Sequence, residues 1–204
     1  KECIEQNIKP IIGCEVYLSN NVISTKNSSD KPYHLVLLAK NNVGYKNLLK
    51  MSTLSHLRGF YRYPRIDWNI LENHKEGIIA LSGCLNGPLA RPISEGDLDG
   101  AFENATKLMN IFGEDFYIEL QLHPKVPELV EVNKILVDFS SRLNAELVAT
   151  GDSHYTYPDD YKLHDIKLCI STNSTLHDQK RFKMEGDDYY LKSPDEMSVL
   201  FSQF

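Results

Sequence analysis

Pro10 to Ala39 reads PIIGCEVYLSNNVISTKNSSDKPYHLVLLA: two apolar runs of strand character, Pro10 to Leu18 and Tyr33 to Ala39, joined by the polar linker Asn20 to Pro32. Parallel neighbours need a long crossover, usually a helix, and this linker has no helical period. The spacing therefore predicts that these two strands pair antiparallel. Outward from this stretch, three more runs read as strands: Gly77 to Ser82 (GIIALS), Phe116 to Leu120 (FYIEL) and Glu146 to Thr150 (ELVAT).

Helical stripes separate most of these runs. Tyr45, Leu48, Leu49, Met51, Leu54 and Leu57 recur at helical spacing and stop near Gly59, and a second stripe from Leu98 to Phe112 ends at Gly113, a left-handed cap position. A third runs from Leu129 to Leu143, with Pro127 suited to its first turn and Asn144 to its stop. Ser193, Pro194, Asp195 and Glu196 form a capping box that starts a last short helix. Alternation of this kind predicts an α/β fold with a largely parallel sheet or barrel, apart from the antiparallel first pair.

With 204 residues, 42% hydrophobic and 25% charged, the chain can bury a core of its own, and disorder is excluded as its main state. The balance of 22 basic and 28 acidic residues gives a net charge of -6. That is not the footprint of a protein that grips polyanions with a basic surface, so binding to nucleic acid would need positive charge from another source. No apolar stretch approaches a bilayer span and no secretory leader opens the chain, so it reads as soluble and cytoplasmic. Cys3, Cys14, Cys84 and Cys169 are widely spread without a CxxC pair and read as free thiols. Lys1 lies in a helical pattern and Phe204 in an apolar one, so both ends read as cuts within a longer polypeptide.

The segment VATGDSHYTYP places Asp152 and His154 two residues apart, just past the carboxyl end of a strand, where α/β folds build their sites. If strand geometry continues through Ser153, both side chains face one way and suit a divalent metal. Taken alone, such a pair is more often a cap and a surface histidine. LSGCLNG puts Cys84 at an equivalent strand end between Gly83 and Gly87, where a thiolate would bind a borderline metal ion, although a lone cysteine is more often a small buried hydrophobe.

Glu15 interrupts an apolar run, and a buried unpaired carboxylate is costly, so it should face a cation or an edge. Its neighbour Cys14 points to the other face, towards the core. His34 opens an apolar strand, where a structural histidine is the commoner occupant. His123 follows a strand end as a weaker site residue. His56, His74, His164 and His177 read as solvated, and Cys3 and Cys169 as packing. The absence of GxSxG, GxxxxGK[ST] and HExxH removes support for nucleophile-elbow hydrolases, P-loop enzymes and zincin proteases.

Taken in order, IKPIIGCEVYL, HLVLLAKNNVGYKNLLKMSTLSHLRGFY, PRID, EGIIALSGCLNGPLAR, FYIELQLH, LVATGDSHY and YYLKSPDEM resemble the PHP (polymerase and histidinol phosphatase) domain of the alpha subunit of bacterial DNA polymerase III. The resemblance implies a distorted (β/α)7 barrel with up to three divalent metal ions, zinc first, with manganese, magnesium or iron as alternatives. It implies a partial PHP domain over residues 1–204, its first strands and an HxH motif lying upstream, with 171–204 leading towards the polymerase region. By motif position Glu15, His34, Cys84, Asp152 and His154 would be metal ligands, with Asp152, His154 and Glu15 at the centre of catalysis.

The implied activity is metal-dependent 3′→5′ proofreading within a DNA-directed DNA polymerase. The implied partners are a DNA primer terminus, a sliding clamp and a separate proofreading subunit, with no membrane. A non-catalytic scaffold that stabilises the polymerase and docks the proofreading subunit is one alternative. A free-standing phosphatase is another, which the polymerase-type segments disfavour.

Overall fold

The strands flanking the polar linker, β1 (Gly13–Ser19) and β2 (Tyr33–Ala39), pair antiparallel from Gly13 opposite Leu38 to Leu18 opposite Tyr33. The computed structural model describes residues 1–204. Before β1 lies one turn of helix, α1 (Glu2–Glu5); after β2 come α2 (Asn42–Leu57), the short strands β3 (Phe60–Tyr61) and β4 (Tyr63–Asp67), and α3 (Trp68–Asn73). The chain continues through β5 (Ile78–Leu81), α4 (Ala90–Ser94), α5 (Leu98–Phe112), β6 (Phe116–Gln121), α6 (Glu128–Leu143) and β7 (Glu146–Thr150). It ends with α7 (Tyr161–Ser171) and α8 (Pro194–Leu200). No helix is long and apolar enough to cross a membrane.

The strand order is β3-β4-β1-β2-β5-β6-β7. β2 is antiparallel to both its neighbours, whereas β1–β4 and β5–β6 are parallel, so the sheet is mixed rather than largely parallel. It is also open. Closure into the barrel that the resemblance implies would require β7 to pair with the β3–β4 edge, and the order contains no such pairing. β3 and β4 are absent from the sequence reading, because their run YRYPRID carries too little apolar alternation to register as strand.

Two compact units divide the chain: Lys1–Glu119 with Asp138–Val148, and Leu120–Val137 with Ala149–Phe204. In the first, one face of the β1–β2 pair buries Leu18, Leu35 and Leu37 completely. α2 packs on β2 and β4, and Asn41 caps it by accepting the backbone N–H groups of Val43 and Gly44. α5 buries Ala101, Ala105, Leu108 and Ile111, which lie at helical spacing, and stops at Gly113 with φ 56°. Fully buried Arg65 holds the polar linker in place. Its guanidinium is 2.6 Å from Asp30 and donates to the carbonyls of Ile23 and Thr25.

The second unit is richer in loops. Segment Asp188–Leu191 runs beside Ser153–Tyr155: His154 N–H donates to the Tyr189 carbonyl at 2.8 Å, Leu191 N–H donates to the Tyr155 carbonyl, and Tyr155 and Tyr190 form a parallel bridge. α8 starts at the expected capping box, with Ser193 and Glu196 bonded reciprocally. All four cysteines are free. Cys14 is exposed rather than core: it lies in the exposed first half of β1, whose buried residues are Leu18 and Ser19 at the far end.

Candidate active site

Antiparallel pairing places His34 near the strand end that carries Cys84. Because β2 is antiparallel to β5 as well as to β1, the amino end of β2 lies beside the carboxyl end of β5. Glu15 sits opposite Val36 and Tyr17 opposite His34, so Glu15 and His34 are diagonal neighbours on one face. His34 Nδ1 is 2.8 Å from Glu15 Oε1 and 3.8 Å from Cys84 Sγ. The Tyr17 ring meets the imidazole edge-on at 5.1 Å.

The loop bearing Cys84 is held from several sides. Gly83 adopts φ 81°, and a Cβ there would lie 2.5 Å from the His34 carbonyl, so this turn accepts only glycine without displacement. Gly83 N–H donates to the buried carboxylate of Glu119 at 3.0 Å, and Asn86 N–H donates to the Cys84 sulfur at 3.4 Å. Glu119 was missed by the sequence reading. A charged residue inside FYIELQL was the signal that could have marked it, as it did for Glu15.

Hydrogen bonding to Cys84 and to the Glu15 carboxylate pushes the His34 imidazole up to about 9. In the chain alone, His34 therefore carries a proton shared towards both neighbours. A metal ion binding the imidazole would have to displace one of its two ring protons.

In the second unit, β7 ends at Thr150 and strand geometry does not continue through Ser153, since Asp152 has φ 44°. The expected alternation is lost in this left-handed turn. His154 turns its Nδ1–H onto the Asp152 carbonyl at 2.6 Å, and Asp152 Oδ1 stands 4.0 Å from the same nitrogen.

Buried His123 stacks on Tyr189 at 4.0 Å and lies 3.1 Å from Asp188 Oδ2 through Nδ1, leaving a buried Nε2 without a partner. Burial pulls the His123 imidazole down, against the opposing pull of Asp188. His164 is buried rather than solvated, because its face of α7 turns inward against His154 (rings 5.4 Å apart) and Tyr155.

A model of the PHP domain matches residues 1–123. The chain belongs to the PHP domain family. It is 42% identical to the DNA polymerase III subunit alpha of Borreliella burgdorferi, over 99% of this chain and 18% of that protein. The same subunit of Treponema pallidum is 39% identical over 100% of the chain and 18% of its own length, and that of Thermus aquaticus 37% over 100% and 17%. The PHP chain thus spans less than a fifth of the length of these relatives. Glu15, His34, Cys84 and His123 fall within the family match, and Asp152 and His154 within the stretch shared with the polymerase subunits.

PHP domains are generally metal-dependent, and this chain offers suitable donors: the Glu15 carboxylate, the His34 imidazole and the Cys84 thiol in one unit, Asp152 and His154 in the other. As they stand, no three His, Cys, Asp or Glu side chains form a ready metal cage. Among the first three, His34 bonds to both Glu15 and Cys84.

Proposed function

We propose that this PHP chain is part of a replicative DNA polymerase III alpha-type subunit and contributes a metal-dependent phosphodiesterase site that removes nucleotides in the 3′→5′ direction. One observation supports this above the others: three donor types from three separate strands or loops converge on one imidazole, with Glu15 at 2.8 Å and Cys84 at 3.8 Å from His34 Nδ1. Divalent ions, when bound, would supply Lewis acidity and an activated water, and would give this acidic chain the local positive charge a DNA end requires. Zinc suits the mixed carboxylate, imidazole and thiolate set.

The protein's own part is to present those donors. Glu15 and Asp152 are the anionic ones. His34 must lose one of its two ring protons to offer a neutral nitrogen. The Nδ1–H of His154 is occupied by the Asp152 carbonyl, which leaves its Nε2 lone pair available. Cys84 is held at the turn by Gly83 and by the Asn86 N–H. In this reading the full protein works on a primer terminus in the cytoplasm, alongside a sliding clamp.

The test is metal-supplemented 3′→5′ cleavage of mismatched primer DNA by the full-length protein beside an Asp152→Ala, His154→Ala variant. Cleavage lost in the variant upholds the reading, and cleavage unchanged in the variant overturns it. A second reading is a scaffold that docks a separate proofreading subunit. It predicts a stable protein without hydrolysis at any metal concentration.

A further inference from the structure

Within the second unit, Tyr189 touches His154 in two ways. Its carbonyl accepts the backbone N–H of His154 at 2.8 Å, and its ring lies 5.6 Å from the His154 imidazole with the two planes 87° apart. The tyrosine is buried and held at both ends. Its own N–H donates to the Tyr155 hydroxyl at 3.1 Å, and its hydroxyl donates to the Glu185 carbonyl at 3.4 Å.

A buried polar pair backs this ring. His123 stacks on it at 4.0 Å with planes 27° apart, and His123 Nδ1 lies 3.1 Å from Asp188 Oδ2. Lys192, also buried, donates to the Asp188 carbonyl and stands 3.6 Å from the same carboxylate oxygen. As a device for stability alone the arrangement is poor: His123 Nε2 and Asp188 Oδ1 stay buried without partners, and a half-satisfied polar pair stabilises less than apolar side chains of similar size. What it fixes is the plane of the Tyr189 ring, since His123 cannot turn away without breaking its bond to Asp188.

The turn that carries His154 needs such support. Asp152, at φ 44°, holds a conformation that residues other than glycine keep only where their surroundings impose it. The His154 imidazole bonds back to this same turn, through Nδ1 to the Asp152 carbonyl at 2.6 Å, so ring and turn move together unless something outside holds them. Tyr189 lies outside the turn and contacts both its backbone and its imidazole. We infer that Tyr189 is the positioning residue of His154, with His123 and Asp188 setting the plane of its ring. The inference rests on the phosphodiesterase reading, in which His154 offers Nε2 to a metal ion. Ligating imidazoles are oriented by partners of this kind, and losing one costs about 10–100-fold in metal affinity.

The test needs no hydrolysis. Zinc affinity of the full-length protein, measured by competition with a chromophoric chelator, is compared in Tyr189→Leu, which keeps the carbonyl and removes the ring, and in Tyr189→Phe, which keeps both. Metal-free crystal structures of the wild type and Tyr189→Leu accompany it. The expected result is a loss of about tenfold in Tyr189→Leu and none in Tyr189→Phe, with His154 Nδ1 moved off the Asp152 carbonyl in the metal-free Tyr189→Leu crystal. The His154 amide should stay protected from hydrogen exchange in both variants; its loss together with the affinity would make the role merely structural and overturn the inference. Unchanged affinity in Tyr189→Leu, equal losses in the two variants, or an unmoved His154 would overturn it as well. Should Tyr189→Leu fail to fold, Asp188→Ala, which frees His123 from behind the ring, is read in the same two ways. A wild type that binds no zinc ends the phosphodiesterase reading, and the position of His154 in the crystals then decides the inference alone.

Discussion

His34 Nδ1 lies 2.8 Å from Glu15 Oε1 because the antiparallel register sets Glu15 opposite Val36, one diagonal step from His34 on the same face. The ion pair links protonation to folding. The His34 pKa is raised from 6.5 to about 9, first by Cys84 and then by Glu15, so the folded state binds the proton more tightly than the unfolded chain. This contribution is fully present below pH 6.5 and is lost as the pH rises through about 9. Urea midpoints measured from pH 6 to pH 10 should fall across that window in the wild type and fall less in His34→Gln; parallel profiles would remove His34 as the cause.

Gly83→Ala tests the turn that presents Cys84. With φ 81° and a Cβ that would sit 2.5 Å from the His34 carbonyl, alanine is both strained and obstructed. A loss of about 1–3 kcal/mol is expected. Displacement of the loop should also speed alkylation of Cys84, and an unchanged rate would show that the turn does not position the thiol.

Arg65→Ala addresses the linker. The ion pair with Asp30 is buried on both sides, at 1% and 4% exposure, and the guanidinium also holds three backbone carbonyls. Removing one partner of such a pair costs about 3–5 kcal/mol. Chemical denaturation should show this, together with faster proteolysis between Asn20 and Pro32.

Asp188→Ala leaves His123 Nδ1 without its acceptor inside the second unit. A buried donor without a partner costs about 1–3 kcal/mol. Loss of the His123–Tyr189 stack, read as a shift of the imidazole resonances, should accompany it.

Lowering the pH should release α8. Tyr190 and Ser193 hold Glu196 at about 2, below its ordinary value near 4.5. Its contribution is therefore present above about 4.5 and disappears as the pH falls through about 2. Protection of the Ser193 amide from hydrogen exchange should decline over that range in the wild type, and should already be low in Glu196→Ala at neutral pH.

Periodicity alone revealed the five main strands, the long helices with their stops at Gly113 and Asn144, and the capping box at Ser193, because each follows from neighbouring residues along the chain. The antiparallel first pair was equally legible, since a short polar linker admits no helical crossover. Family motifs pointed to Glu15, His34, Cys84, Asp152 and His154. Long-range contacts had no local signature: the sheet's open edges, the exposure of Cys14, the burial of His164 and the His123–Asp188 pair.

Asp152 shows the boundary most clearly. Strand alternation suggested a shared face with His154, yet at φ 44° the backbone turns left-handed and hydrogen-bonds its own carbonyl to that histidine. Local pattern encodes which residues alternate or repeat. Where a strand ends, which way its last side chains turn and what covers them depend on partners far away in the chain, and those are set by packing and by the pairing of buried polar groups.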